Sequence, residues 1–129
     1  MKVLNFEDSV YKANAIRKVL NQCGVAKIEL VSNVEDGLQM LKNAEDTGEP
    51  FDLIITDMHY PMKQGAVSDT EAGEKLVQLL QEQSKQTKVI VCSSRNMKLP
   101  GVYGCIWYSE ISDWEEELCD LVREMEKNR

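Results

Sequence analysis

A chain of 129 residues with 43% hydrophobic content has room for one core of ordinary size, and so for a single domain spanning 1–129. Its 22 acidic residues outnumber 15 basic ones, giving a formal net charge of -7, which argues against a face built to meet nucleic-acid phosphates. No window approaches the roughly 20 apolar residues of a membrane span, and "MKVLNFEDSV" lacks a signal-peptide core, so a cytoplasmic protein without membrane contact is expected.

In chain order, "KVLNF" (2–6) reads as a strand. Val10, Ala13, Ile16, Val19, Leu20 and Cys23 then recur at helical spacing up to Gly24. "KIELV" (27–31) is a second strand, and Ser32 and Asn33 are suited to cap a helix marked by Val34, Leu38, Leu41 and Ala44. "DLIIT" (52–56) is a third strand, followed by a long polar loop and a helix with Ala72, Leu76, Leu79 and Leu80 on one face, for which Asp69 or Thr70 is the expected cap. "KVIVCS" (88–93) and "GCIWY" (104–108) are the fourth and fifth strands. Trp114, Leu118, Leu121, Val122 and Met125 form the inward stripe of a last helix, and the tail "REMEKNR" is expected to fray.

Strands that are apolar runs, alternating with amphipathic helices, predict an α/β, doubly wound parallel sheet covered on both faces. The ten residues 94–103 are about the minimum for a parallel crossover, so the helix between the fourth and fifth strands is short or absent. Cys23, Cys92, Cys105 and Cys119 form no C-x-x-C pair and are all expected as reduced core thiols.

Ligands of open parallel sheets bind beyond the carboxyl ends of the strands. There the chain carries Glu7 and Asp8 after the first strand, Asp57 after the third, Ser93 and Ser94 after the fourth, and Tyr108 and Ser109 after the fifth. Converging carboxylates without a Cys or His cluster suit magnesium, whose usual companion is phosphoryl chemistry, and an aspartate can itself be the nucleophile. For Glu7 and Asp8 the competing reading is an N-cap pair, with Asp8 capping the first helix. His59, the only histidine, is expected to be a solvated side chain. Trp107 is expected to pack in the core, and Tyr108 is left open between core and partner contact.

"FEDS", "TDMHYPMKQG" and "VCSS" resemble the receiver domain of bacterial two-component response regulators, the most specific part being Asp57 followed by Pro61 and Gly65. The resemblance covers nearly the whole chain. It implies a flavodoxin-like sheet of order 2-1-3-4-5, Asp57 as phosphoacceptor, and magnesium held by Asp8, Asp57 and the main-chain carbonyl of His59, with Glu7 assisting. Ser93, followed by Ser94, would stand at the phosphoryl-binding switch position. A sensor histidine kinase or phosphotransfer protein would be the donor, and a further protein the output partner. On this reading the chain is not itself an enzyme.

Two departures accompany the resemblance. The family's lysine at the end of the fifth strand falls on Tyr108, with Arg95 the nearest substitute cation and Lys63 and Lys98 more distant ones. The aromatic switch position falls on Cys105, and Ser109 stands where a proline is common. These departures give weight to an alternative, a receiver-like protein-interaction module that works without phosphorylation. A third reading, an aspartate-nucleophile phosphohydrolase, expects an acid at position 59, where this chain has histidine. Because no DNA-binding segment follows Arg129 in this sequence, output through protein contacts is expected.

Overall fold

A computed structural model describes residues 1–83 and 87–128 of the chain. The apolar runs become the strands β1 (Lys2–Phe6), β2 (Lys27–Val31) and β3 (Leu53–Thr56), and the chain then makes a short hairpin, β4 (Tyr60–Pro61) with β5 (Ser68–Asp69). β6 (Lys88–Ser93) and β7 (Gly104–Trp107) follow. Four helices, α1 (Val10–Gln22), α2 (Val34–Asp46), α3 (Ala72–Glu82) and α4 (Trp114–Lys127), lie between and after them. The five long strands form one parallel sheet of order β2-β1-β3-β6-β7, the expected doubly wound arrangement.

Successive side chains of a strand point to opposite faces, and this sorts the core into two layers. Val3, Leu53, Ile55, Ile90 and Cys92 meet Ile16, Val19 and Leu20 of α1 and Leu118, Val122 and Met125 of α4. Leu4, Phe6, Ile54 and Val89 meet α2 through Val34, Leu41 and Ala44, and α3 through Leu76, Val77 and Leu80. Phe6 lies so close to α2 that a Cβ at Gly37 would overlap its ring.

Residues 94–103, between β6 and β7, contain no helix, as their length predicts. α4 continues through Lys127, so the tail expected to fray is helical to that point, and Arg129 lies outside the described residues. α3 begins after Glu71 without a side-chain cap; Asp69, expected to cap it, instead accepts a hydrogen bond from the Glu71 amide at 2.8 Å and pairs with Lys75 at 2.6 Å.

The expectation of four reduced thiols needs correction. Cys92 and Cys105 are free, but Cys23 and Cys119 are joined in a disulfide. The end of α1 packs beside α4 and brings the two Cα atoms to 5.7 Å, within the range that a disulfide spans. A sequence separation of 96 hides this proximity. Because a crosslink over so long a loop restricts the unfolded chain, reduction is expected to lower stability by about 2–4 kcal/mol. Urea unfolding with and without dithiothreitol measures it, and coincident curves would contradict the expectation.

Candidate phosphoacceptor site

Strand order reverses between β1 and β3, and the site lies beyond their carboxyl ends. Asp57 follows the fully buried β3, and its position is fixed from several sides. Its amide donates to the Phe6 carbonyl at 3.1 Å, and its Oδ1 accepts from the Met58 amide at 2.7 Å. The Thr56 hydroxyl bonds the Asp57 carbonyl and shares a buried 2.7 Å hydrogen bond with the hydroxyl of Tyr60, tying β3 to the hairpin. On the far side α3 approaches closely, and a Cβ at Gly73 would collide with the Asp57 carbonyl.

One open cavity of about 360 Å³ gathers Asp8, Asp57, Met58, His59, Ser68, Thr70, Ser93, Ser94 and Arg95. Residues expected from the sequence thus converge on one space. Ser93 is buried at the end of β6 and its Oγ accepts from the Arg95 amide at 3.1 Å. Ser94 is exposed, and its carbonyl accepts from the Trp107 indole at 3.0 Å. Trp107 is therefore half-buried at the loop, where core packing was expected. The long loop after β3 folds back as the hairpin and brings Ser68 and Thr70 to the cavity, so its length and polar sequence, which leave open a segment repositioned over the site or a flexible surface insertion, resolve to the first of these.

Asp8 is exposed and does not cap α1. That role falls to Ser9, whose side chain accepts from the Lys12 amide. Glu7 turns inward: its Oε2 accepts from the Ser9 amide at 3.1 Å and its Oε1 pairs with Lys12 Nζ at 3.0 Å. Burial pushes the Glu7 carboxyl above its ordinary range, opposed by the Lys12 ammonium and reinforced by Asp57.

Lys12 is a site residue that sequence reasoning missed. Its side chain is only 8% exposed, and its ammonium lies 3.0 Å from Glu7 Oε1, 3.4 Å from Asp57 Oδ2 and 2.7 Å from the Cys92 carbonyl. Burial alone would lower its pKa, but the Asp57 and Glu7 carboxylates outweigh that and hold it above the ordinary lysine value. Tyr108, one residue past β7, faces the same ammonium: its ring centroid is 5.2 Å from Lys12 Nζ and 4.9 Å from the ring of Trp114. The tyrosine left open by the sequence is thus an aromatic wall of the site, packed on α4. A periodicity signal was present, because Lys12 precedes Ile16 by four residues and Val19 by seven, on the buried stripe.

Asp8, Asp57 and the main chain at His59 offer hard oxygen donors around an open space, a set that suits magnesium in kind, since that ion keeps several waters and needs only one or two carboxylates. Among the described residues no group of three or more His, Cys, Asp or Glu side chains is arranged to hold a metal. Glu7, expected as an assisting ligand, has its carboxylate directed to Lys12 and Ser9.

A scan of protein-family models finds no match, and no curated protein matches the sequence. Solved structures do match. The receiver domain of the Francisella response regulator 1452 has a TM-score of 0.72 at 17% identity, covering 99% of this chain and 98% of that one. The chemotaxis response regulator CheY4 of Vibrio cholerae has a TM-score of 0.66 at 20% identity, covering 96% and 97%. The phosphorylated cyanobacterial phytochrome response regulator RcpA has a TM-score of 0.68 at 17% identity, covering 98% and 91%. The fold is that of response-regulator receiver domains. Among the described residues no helix is long and apolar enough to cross a membrane.

Proposed function

We propose that the chain is a receiver module of a phosphorelay that accepts a phosphoryl group on Asp57 from a histidine kinase or phosphotransfer protein. The observation that carries this reading is the placement of Asp57 at the strand-order reversal of a receiver fold, in one cavity with Asp8 and Ser93. A carboxylate oxygen of Asp57 attacks phosphorus, a P–O bond forms, and the P–N bond of the donor phosphohistidine breaks, its electron pair leaving with the imidazole. The strand end holds the nucleophile rigid while the cavity leaves it open to the donor. Asp8, Asp57 and the His59 carbonyl would hold magnesium, which offsets charge on the phosphoryl oxygens when bound. The Ser93 hydroxyl can donate to a phosphoryl oxygen, and its turn toward that oxygen would shift residues 94–103, which carry no regular structure, and so the surface presented to an output protein. The donor kinase supplies most of the catalysis.

Incubation with acetyl phosphate and magnesium, followed by intact mass, tests this. One phosphoryl group is expected to be gained by the parent protein and absent in Asp57→Asn. A second reading, an interaction module that works without phosphorylation, is favoured by the tyrosine at the end of β7. It would be supported by a folded protein that gains no mass.

A further inference from the structure

The geometry points to Lys12 as the cation that neutralises charge at Asp57 and its phosphorylated form, entering the site from α1 where the end of β7 contributes only the ring of Tyr108. The inference rests on the receiver reading and names the group that makes Asp57 workable within it.

A lysine ammonium has three N–H donors. Here three oxygens surround it: Glu7 Oε1 from the end of β1, Asp57 Oδ2 from the end of β3 and the Cys92 carbonyl from β6. Lys12 therefore spans the strands that build the site, although it belongs to the first turn of a helix. The Tyr108 ring closes its remaining side, and the packing of that ring on Trp114 anchors the wall to α4. A cation so enclosed acts through a poorly screened medium, where its field at Asp57 is stronger than that of a solvated loop cation. Arg95, the substitute named from sequence, lies instead on the exposed rim of the cavity.

The arrangement divides labour across Asp57. Lys12 stands behind the carboxylate, on the buried side, and the cavity with Ser93 and Arg95 stands in front. When Asp57 attacks phosphorus, negative charge accumulates on the transferring oxygens. A fixed ammonium beside the nucleophile lowers the cost of bringing two anions together without moving itself. Its pairing with Glu7 keeps it in place before the donor arrives.

Because Lys12→Met alone strands a buried Glu7, the comparison is made in a Glu7→Gln background. Parent, Glu7→Gln, Glu7→Gln/Lys12→Met and Glu7→Gln/Lys12→Met/Tyr108→Lys proteins are incubated with acetyl phosphate and magnesium. Initial rates of mass gain are recorded beside beryllofluoride binding by titration calorimetry, with thermal melts to confirm folding. Loss of Lys12 is expected to slow phosphorylation on the order of a hundredfold relative to Glu7→Gln. Beryllofluoride binding should weaken in parallel, and Tyr108→Lys should restore a substantial part of both. Equal rates with and without Lys12 overturn the assignment and leave the receiver reading intact. A loss that Tyr108→Lys does not relieve, with beryllofluoride affinity unchanged, reduces Lys12 to a folding role and also overturns it. No mass gain in the parent overturns the receiver reading and this inference with it.

Discussion

Replacing Lys12 by methionine is expected to lower the stability of the folded chain by about 3–5 kcal/mol at neutral pH. For a domain of this size that corresponds to a fall in Tm of the order of 10 °C. The cause is the charge left behind more than the ion pair removed. Glu7 is 2% exposed and Lys12 is the ammonium opposing it, so methionine leaves a buried carboxylate without its counter-charge.

The pH dependence follows from the direction of the Glu7 shift. Burial already holds this carboxyl above its ordinary value of 4.5, and losing the Lys12 ammonium moves it further up. A group whose folded pKa is raised favours the folded state below its unfolded pKa, and that advantage is lost as pH rises through the folded value. The deficit of Lys12→Met therefore grows as pH rises above 4.5 and shrinks in acid, where Glu7 is protonated in both states. Lys12 has a raised pKa as well, so the pairing it supplies in the parent is fully present below 10.5 and fades above it. Urea titrations of parent, Lys12→Met and Lys12→Met/Glu7→Gln between acid and neutral pH check this. The double variant should recover much of the loss, whereas a deficit independent of pH and of Glu7 would contradict the account.

Phe6→Ala is expected to cost about 3–5 kcal/mol, because the ring is fully buried between β1 and α2, with Tyr60 at a centroid distance of 6.1 Å. Its relation to Gly37 makes the more discriminating test. In the parent protein a Cβ at Gly37 would overlap the Phe6 ring, so Gly37→Ala should destabilise by about 1–3 kcal/mol. Once the ring is gone its overlap with the new methyl group is gone too, and the helical preference of alanine over glycine should stabilise by about 0.5–1 kcal/mol. A double-mutant cycle reads the reversal of sign directly. Gly37→Ala with the same effect in both backgrounds would mean that the contact does not set the spacing of α2 from the sheet. Since Phe6 immediately precedes Glu7 and Asp8, this spacing also fixes where the acidic pair emerges.

The sheet was legible because parallel strands buried on both faces must be apolar throughout, and "VLNF", "LIIT" and "VIVCS" leave few other outcomes. Asp57 was legible for the same reason: a carboxylate that ends a buried strand interrupts the pattern. Lys12 was not, since a charged residue near a helix start is ordinarily read as solvated. The stripe was instead extended to Val10, which is 68% exposed. The rest of the stripe, Ala13, Ile16, Val19 and Leu20, is buried as expected, and only the partners of the ammonium, which come from positions 7, 57 and 92, show why a lysine and not Val10 completes it at the helix start. The hairpin of β4 and β5 escaped notice because two-residue strands carry no period. The disulfide escaped because nothing local to Cys23 or Cys119 distinguishes either from a core thiol.

The Cys23–Cys119 bond also alters the connectivity of the molecule. It closes a covalent ring through which run β2, β3, β6 and β7, and with them Asp57, Ser93 and Tyr108, while Glu7, Asp8 and Lys12 hang from the ring on the leading segment. Severing the backbone anywhere within residues 94–103 would open the ring without releasing a fragment. The acidic pair, Asp57 and the aromatic wall would remain parts of one molecule, held in register by packing and by sulfur.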